Sequence, residues 1–253
     1  MITKAPSIII ENASLSYENV ILFERLNMRL PAGKWTCLLG PSGVGKTTLL
    51  RMIAGLMNNS HEVFKGNITC DNLFPLNQQI AYHAQQDSLL PWLNSLDNTL
   101  LGNRLRGEHS AKILTHAHEL FRLVGLTDAM KKYPRQLSGG MRQRVALIRT
   151  LLENKPIILM DEPFSALDTI TRFELQTLSA ELLKDHTVLW VTHDPMEALR
   201  LADDIYILAG KPAALKKAIS LNTPAPRNPG DIELMTYQTT LFKELTKAKA
   251  LCL

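Results

Sequence analysis

The octapeptide Gly40-Pro41-Ser42-Gly43-Val44-Gly45-Lys46-Thr47 constrains the fold more than any other part of the chain. It fits the spacing GxxxxGK[ST] and needs a strand before it and a helix after it. Both are predicted. Trp35 to Leu39 is a compact apolar run ending at Gly40, as a buried strand would, and Lys46 to about Gly55 reads as a helix. The glycines allow backbone conformations that turn successive N–H groups around an anion. The helix start adds unpaired amides and the positive end of a dipole. Lys46 then supplies a point charge to the outer phosphates, and the Thr47 hydroxyl is a ligand for Mg²⁺, with Thr48 next to it in the first turn. The plain alternative, a glycine-rich turn beside a surface lysine, does not account for the full spacing.

A phosphate cradle of this kind needs a carboxylate for its metal. Ile157-Ile158-Leu159-Met160-Asp161-Glu162 provides one, on a predicted buried strand that carries two acids to its carboxyl end. Ligands bind at that edge in open α/β sheets. Asp161 would hold Mg²⁺ through water, and Glu162 is placed to orient the attacking water or accept its proton. Apolar strands ending in Asp-Glu are common, so this pair gains its meaning from the cradle.

The rest of the chain supports an α/β architecture. Strands are predicted at Ile8 to Ile10, Ala13 to Tyr17 and Leu26 to Leu30, and again at 79–84, Thr187 to Val191 and 204–208. Helices are predicted near 169–184, 195–202 and 231–248. Strands alternating with helices imply a mostly parallel sheet covered on both faces. Residues 95–153 differ. Ile113, Leu114, Ala117, Leu120, Phe121 and Val124 recur at helical spacing, and 139–153 is helical again, so this block reads as an inserted α-helical subdomain. The expected division is a nucleotide-binding domain over 1–210, with an antiparallel N-terminal β part, and a short extension over 211–253 ending in a helix.

Composition narrows the class. Lys+Arg 28 against Asp+Glu 24 gives a net charge of +4, too mild to argue for nucleic acid. Cys37, Cys70 and Cys252 form no CxxC pair and read as buried small residues or free thiols in a reducing compartment. His116 and His118, two apart on a helix, face different ways and make no metal pair. No apolar run approaches the ~18–20 residues that span a bilayer. A cytoplasmic protein is expected, and any work at a membrane needs another chain to do the spanning.

Leu137-Ser138-Gly139-Gly140-Met141-Arg142-Gln143-Arg144 is a second predicted anion site, two glycines at a helix start with Ser138 as cap. This segment resembles the signature of ATP-binding-cassette (ABC) ATPases, and further motifs of that family follow in order. Tyr17 matches the aromatic that stacks on adenine, Gln85 the glutamine that contacts Mg²⁺ and water and senses the transporter. Ser165-Ala166-Leu167-Asp168 matches the D-loop, and His193 the switch histidine that reaches the γ-phosphate. Alone, Tyr17 would be a strand tyrosine and His193 a loop histidine. Together the resemblance covers roughly residues 8–208. It implies ATP hydrolysis with Mg²⁺ in a head-to-tail dimer, where Ser138, Gly139, Gly140 and Asp168 of one chain close over the cradle of the other. Ala84, where the family usually has Phe, and Val44 depart from the pattern.

Gln85-Gln86-Asp87-Ser88-Leu89-Leu90-Pro91-Trp92 looks like the corresponding stretch of bacterial importer subunits of the nitrate/sulfonate/taurine group, and subunits for thiamine-precursor pyrimidines are similar. The segment with Pro226, Arg227 and Pro229 also looks like that group. The Leu89–Trp92 cluster is either a corner of the core or a docking surface for a cytoplasmic helix of a membrane partner. The resemblance implies a transmembrane permease, a periplasmic or lipid-anchored substrate-binding protein and a second ATPase subunit, with the chain peripheral on the inner face of the membrane. A soluble ABC-type ATPase outside transport, a split exporter ATPase and a non-hydrolysing ATP-gated dimer remain as alternatives. Glu162 argues against the last.

Overall fold

The computed structural model describes residues 5–18, 20–57 and 62–251, so Cys252 lies outside the described residues. The elements run β1 (Ile8–Tyr17), β2 (Val20–Leu30), β3 (Trp35–Leu39), α1 (Lys46–Ile53), β4 (Glu62–Cys70), β5 (Ile80–His83), α2 (Ser95–Thr99), α3 (Leu101–Leu105), α4 (Ala111–Leu123) and α5 (Gly139–Leu152). There follow β6 (Ile157–Asp161), α6 (Thr169–Leu182), β7 (Thr187–Val191), α7 (Pro195–Leu201), β8 (Asp204–Ala209), β9 (Ala214–Ser220) and α8 (Ile232–Ala250). They form two units. One takes the chain up to Ile80, Pro156–Asp161 and the residues from Leu183 on, and the other takes Ala81–Lys155 and Glu162–Leu182.

The first unit is α/β. Its central strands β6, β7, β3 and β8 are parallel in that order, with β9 antiparallel at the edge of β8. Every residue of β3, β6 and β7 is buried. Successive side chains point to opposite faces, so full burial means that both faces are covered, as a parallel sheet requires. Helix α1 packs on β6 and β7, α7 on β3, and α8 on α7, β8 and β9. The edge-to-face pair Trp35–Trp190, with ring centres 5.2 Å apart, joins β3 to β7 in the core.

A second, three-stranded antiparallel sheet has the order β2-β1-β4. Here the structure corrects the sequence reading. The expected strands 8–10 and 13–17 are one strand, bent by register shifts around Asn12, whose φ is 51°. The expected strand 26–30 begins at Val20. β4 and β9 were not expected. Both are mostly exposed and carry little apolar alternation, so their sequences, EVFKGNITC and ALKKAIS, lack a strand signal.

The second unit is largely helical. α5 is its hub, packed against α2, α3 and α4. α4 buries Ala117, Leu120 and Phe121 as its spacing predicts, with Ser110 capping its start. α2 and α3 are single turns. Ser95 anchors the first by donating from both its amide and its hydroxyl to the carbonyl of Lys132.

Candidate active site

The first unit brings three of the predicted groups to one edge by strand register. In the row across the sheet, Asp161 pairs with Val191, and Val191 pairs with Leu38. Neighbouring strands lie about 4.8 Å apart, so this row sets the carboxylate of β6 about 10 Å from the end of β3. Gly40 follows Leu38 by two residues, and His193 follows Val191 by two. Parallel strands have their carboxyl ends on one side, so the glycine-rich turn, Asp161 and His193 face a common edge.

The turn itself is shaped as predicted. Gly40 has φ 154°, and a Cβ there would stand 2.3 Å from the carbonyl oxygen of Leu208, so only glycine fits. Gly45 is the cap of α1 in the left-handed region at φ 105°. It offers no side-chain acceptor, and α1 has no acidic residue in its first turn, so neither the cap nor the helix itself supplies an anion to the amides at the start of α1. Lys46 is buried, and its Nζ donates to the carbonyls of Gly40 and Pro41 at 2.9 Å each. The ammonium thus lies folded over its own loop, where an incoming phosphate would meet it. Ser42, Gly43 and Val44 form one wall of a cavity of about 340 Å³, with Val20, Ile21 and Leu22 on a second side and Gly210–Ala213 on a third. Tyr17, 39 % exposed, stands opposite Val20 in the β1–β2 register, next to this apolar wall.

The donor set of this half suits a hard divalent cation: the Thr47 hydroxyl and the Asp161 carboxylate, itself 1 % exposed, are oxygens, as Mg²⁺ requires. Among the described residues no cluster of three His, Cys, Asp or Glu could hold a metal alone. Such an ion would therefore complete its shell with water and phosphate.

The second unit holds the other predicted groups. Gln85 Nε2 lies 3.4 Å from Glu162 Oε2 and donates to it. Glu162 adopts φ 47°, a left-handed conformation unusual for a residue with a side chain, and its carbonyl accepts from both the amide and the hydroxyl of Ser165. Ser138 caps α5 by accepting from the amide of Met141 at 3.2 Å. A Cβ on Gly140 would meet Leu167 Cδ2 at 3.3 Å and the Ala166 carbonyl at 3.7 Å, so the signature glycine lets α5 approach the 165–168 segment closely, while a Cβ on Gly139 would make only ordinary contact with Arg142 at 3.9 Å. Asp168 begins α6, accepting from the amide of Thr171 at 3.1 Å. That bond and the Thr171 hydroxyl hold its carboxyl below the usual range.

A family model described as ABC transporter matches residues 23–165. The chain belongs to the ABC transporter ATP-binding family. It is 44% identical over 239 residues to an ABC transporter ATP-binding protein of Haemophilus influenzae, covering 93% of this chain and 97% of that one. It is 38% identical to the aliphatic sulfonates import ATP-binding protein SsuB 1 of Rhodococcus jostii, over 92% of this chain and 90% of the relative. The taurine import ATP-binding protein TauB of Escherichia coli is 38% identical over 79% of this chain and 78% of its own. Among solved structures, the dimeric post-hydrolysis state of the ATP-binding cassette MJ0796 bound to ADP and Pi superposes with a TM-score of 0.72 at 29% identity, over 85% of this chain and all of that one. The chain is accordingly an ATPase that binds ATP.

In this ABC ATPase several supporting residues have no sequence signal of their own. Arg149 donates to the carbonyls of Asp87 and Ser88, Arg142 to the Asp87 carboxylate at 2.9 Å, and Gln143 to the carbonyl of Gln85 at 3.0 Å. All three lie on α5, the helix that Ser138 caps. Asn98, fully buried, accepts from the amide of Leu90 at 2.7 Å and donates to the carbonyls of Leu90, Leu93 and Asn94. The loop between Gln85 and Asn94 is thereby held from both ends. Leu89 turns inward, and Trp92 is 69 % exposed. For Trp92 the core-corner alternative fails. No helix among the described residues is long and apolar enough to cross a membrane.

Proposed function

We propose that this chain is the ATP-hydrolysing subunit of an ABC importer, coupling a nucleotide-driven dimer to uptake of a small molecule through a separate permease. The observation that carries the reading is the loop around Trp92. A large aromatic side chain stands in solvent on a backbone fixed by Asn98, Arg142, Gln143 and Arg149, directly after Gln85. A rigid exposed anchor of this kind suits docking of a partner helix. The relatives named for sulfonate and taurine import supply the direction and the substrate class.

In this reading residues 1–210 are the ABC ATPase domain, with the helical subdomain near 95–153, and 211–253 an extension. Tyr17 stacks on the base. Gly40–Thr48 wrap the phosphates with backbone amides, and Lys46 leaves the Gly40 and Pro41 carbonyls to pair with the outer phosphates. Thr47, Asp161 and Gln85 would hold Mg²⁺, which when bound screens phosphate charge. Glu162 orients the attacking water and accepts its proton, and His193 reaches the γ-phosphate. Ser138, Gly139, Gly140 and Asp168 of a second copy complete the site. The partners are a permease, a periplasmic or lipid-anchored binding protein and a second, identical ATPase subunit, with the chain on the cytoplasmic face of the membrane.

Glu162→Gln tests the reading. It keeps the acceptor that Gln85 uses and removes the charge. Loss of a general base slows turnover by about 10²–10⁴-fold. The variant should bind Mg²⁺-ATP, turn over slowly and accumulate as a dimer with ATP but not with ADP, seen by light scattering. Adding Ser138→Arg should abolish that dimer. A Glu162→Gln protein that stays monomeric at saturating Mg²⁺-ATP, or hydrolyses at the wild-type rate, refutes the composite site.

A further inference from the structure

Helix α7 begins one residue after His193–Asp194 leave the end of β7, and the last carbonyls at its far end are held by a buried arginine from the segment that follows β9. Arg227 is 4 % exposed. Its Nη1 donates to the carbonyls of Leu199 at 2.9 Å and Ala202 at 2.7 Å, at the last turn of α7. Nε donates to Thr223 Oγ1 at 2.8 Å, Nη2 donates to the Thr223 carbonyl, and the Arg227 amide donates to the carbonyl of Arg200 at 2.9 Å. Helix C-termini leave carbonyls without partners, and a cation there also meets the negative end of the helix dipole. Burial lowers the Arg227 pKa, while Asp203 and Glu233 favour its charge; a guanidinium remains protonated throughout.

The near end of α7 is equally defined. Asp194 caps it by accepting from the amides of Met196 at 2.8 Å and Glu197 at 3.4 Å, and its own amide donates to Thr192 Oγ1 at 3.1 Å. In the core, Trp190 Nε1 donates to Glu197 Oε1 at 3.0 Å, tying α7 to β7. His193 therefore stands in the middle of a three-residue bridge between a core strand and a helix seven residues long. Such a helix measures about 10 Å, so the contacts of Arg227 lie only about two turns from the bridge that holds His193. A shift at the end that Arg227 holds reaches the end that carries His193.

We propose that Arg227 is a positioning residue for His193: through α7, the segment beyond β9 sets where the histidine stands at the carboxyl edge of the sheet. The proposal rests on the role given to His193 above. It assigns the extension a part in hydrolysis, although none of its residues carries a motif of the nucleotide site.

The test is steady-state Mg²⁺-ATP hydrolysis by the purified full-length chain in four forms: wild type, Arg227→Gln, His193→Ala and the double variant, each checked for its fold by circular dichroism. Ångström-scale misplacement of a catalytic group costs up to about a hundredfold in rate, so Arg227→Gln should lower kcat about ten- to a hundredfold. KM for ATP should stay within about twofold, since the binding contacts are elsewhere. In the His193→Ala background the same change should alter kcat by less than about twofold, because residues acting as one unit are not additive. Arg227→Lys, which keeps the cation but loses the planar fork, should fall between Arg227→Gln and wild type, and it replaces Arg227→Gln throughout if that protein does not fold. An additive loss in the double variant overturns the proposal, as does a folded Arg227 variant with wild-type kcat while His193→Ala is impaired. A wild-type rate in His193→Ala itself would instead remove the role of the histidine, and the positioning role with it.

Discussion

His83 makes the stability of this chain depend on pH over a defined window. It lies at the end of β5, 2 % exposed, two residues before Gln85. Its Nδ1 is 3.1 Å from Thr150 Oγ1, and that hydroxyl already donates its hydrogen to the carbonyl of Ala146 at 3.1 Å. The imidazole must therefore be the donor, which the neutral Nδ1–H tautomer satisfies. Burial, reinforced by the Arg149 guanidinium, lowers its pKa from 6.5 to about 4. The unfolded chain binds this proton more readily than the folded one, so the stability is complete above pH 6.5 and is lost as pH falls towards 4. Displacement from 6.5 to about 4 corresponds to about 3 kcal/mol, of which somewhat under half is already lost at pH 5.5. Urea unfolding of wild type and His83→Val between pH 4 and 7.5 isolates the effect, because carboxylates common to both proteins cancel in the difference. The wild type should lose about 3 kcal/mol more than the variant across the window, a large share of ordinary domain stability. A difference that stays flat with pH would refute the buried neutral histidine.

Two further outcomes follow from the site. Lys46→Ala removes a charge-assisted contact worth about 1.5–3 kcal/mol, so ATP affinity measured by calorimetry should fall about 10- to 150-fold; unchanged affinity would mean that residues 40–47 do not hold the phosphates. Trp92→Ala should leave the fold and basal ATPase intact, since the side chain is largely in solvent. Its co-purification with a membrane partner should weaken by about 30-fold or more if Trp92 is an anchor of at least about 2 kcal/mol, and retention of full binding would place the interface elsewhere.

The central strands and both glycine-rich helix starts were legible because their physics is local. A run such as Trp35–Leu39 is buried at each position because both faces of its strand are covered, and the glycine at 40 is required by a contact that no side chain could share. β4 and β9 were not legible, because edge strands with exposed faces have no obligatory alternation. Glu162 was expected as an acid at a strand end, but its left-handed backbone was not. That conformation is imposed by the turn into Ser165, which the residue type itself does not favour.

The groups that act on the nucleotide and the groups that support them differ in the kind of bond they make. Asp161 and His193 owe their places to strand register, at the ends of short, fully buried runs that the sequence reveals. Arg149, Arg142, Gln143, Asn98 and Arg227 owe theirs mainly to bonds with main-chain carbonyls. A carbonyl is present at every residue, so such a bond constrains the donor and leaves no complementary residue type on the other side. Each of these donors reads in the sequence as an ordinary polar residue on a helix or loop. The three on α5 hold the loop of Gln85, and Arg227 holds the helix that follows His193. Two of the groups assigned to the reaction thus depend on side chains that bind largely to backbone, and substitutions at those donors should separate nucleotide binding, which they leave in place, from turnover.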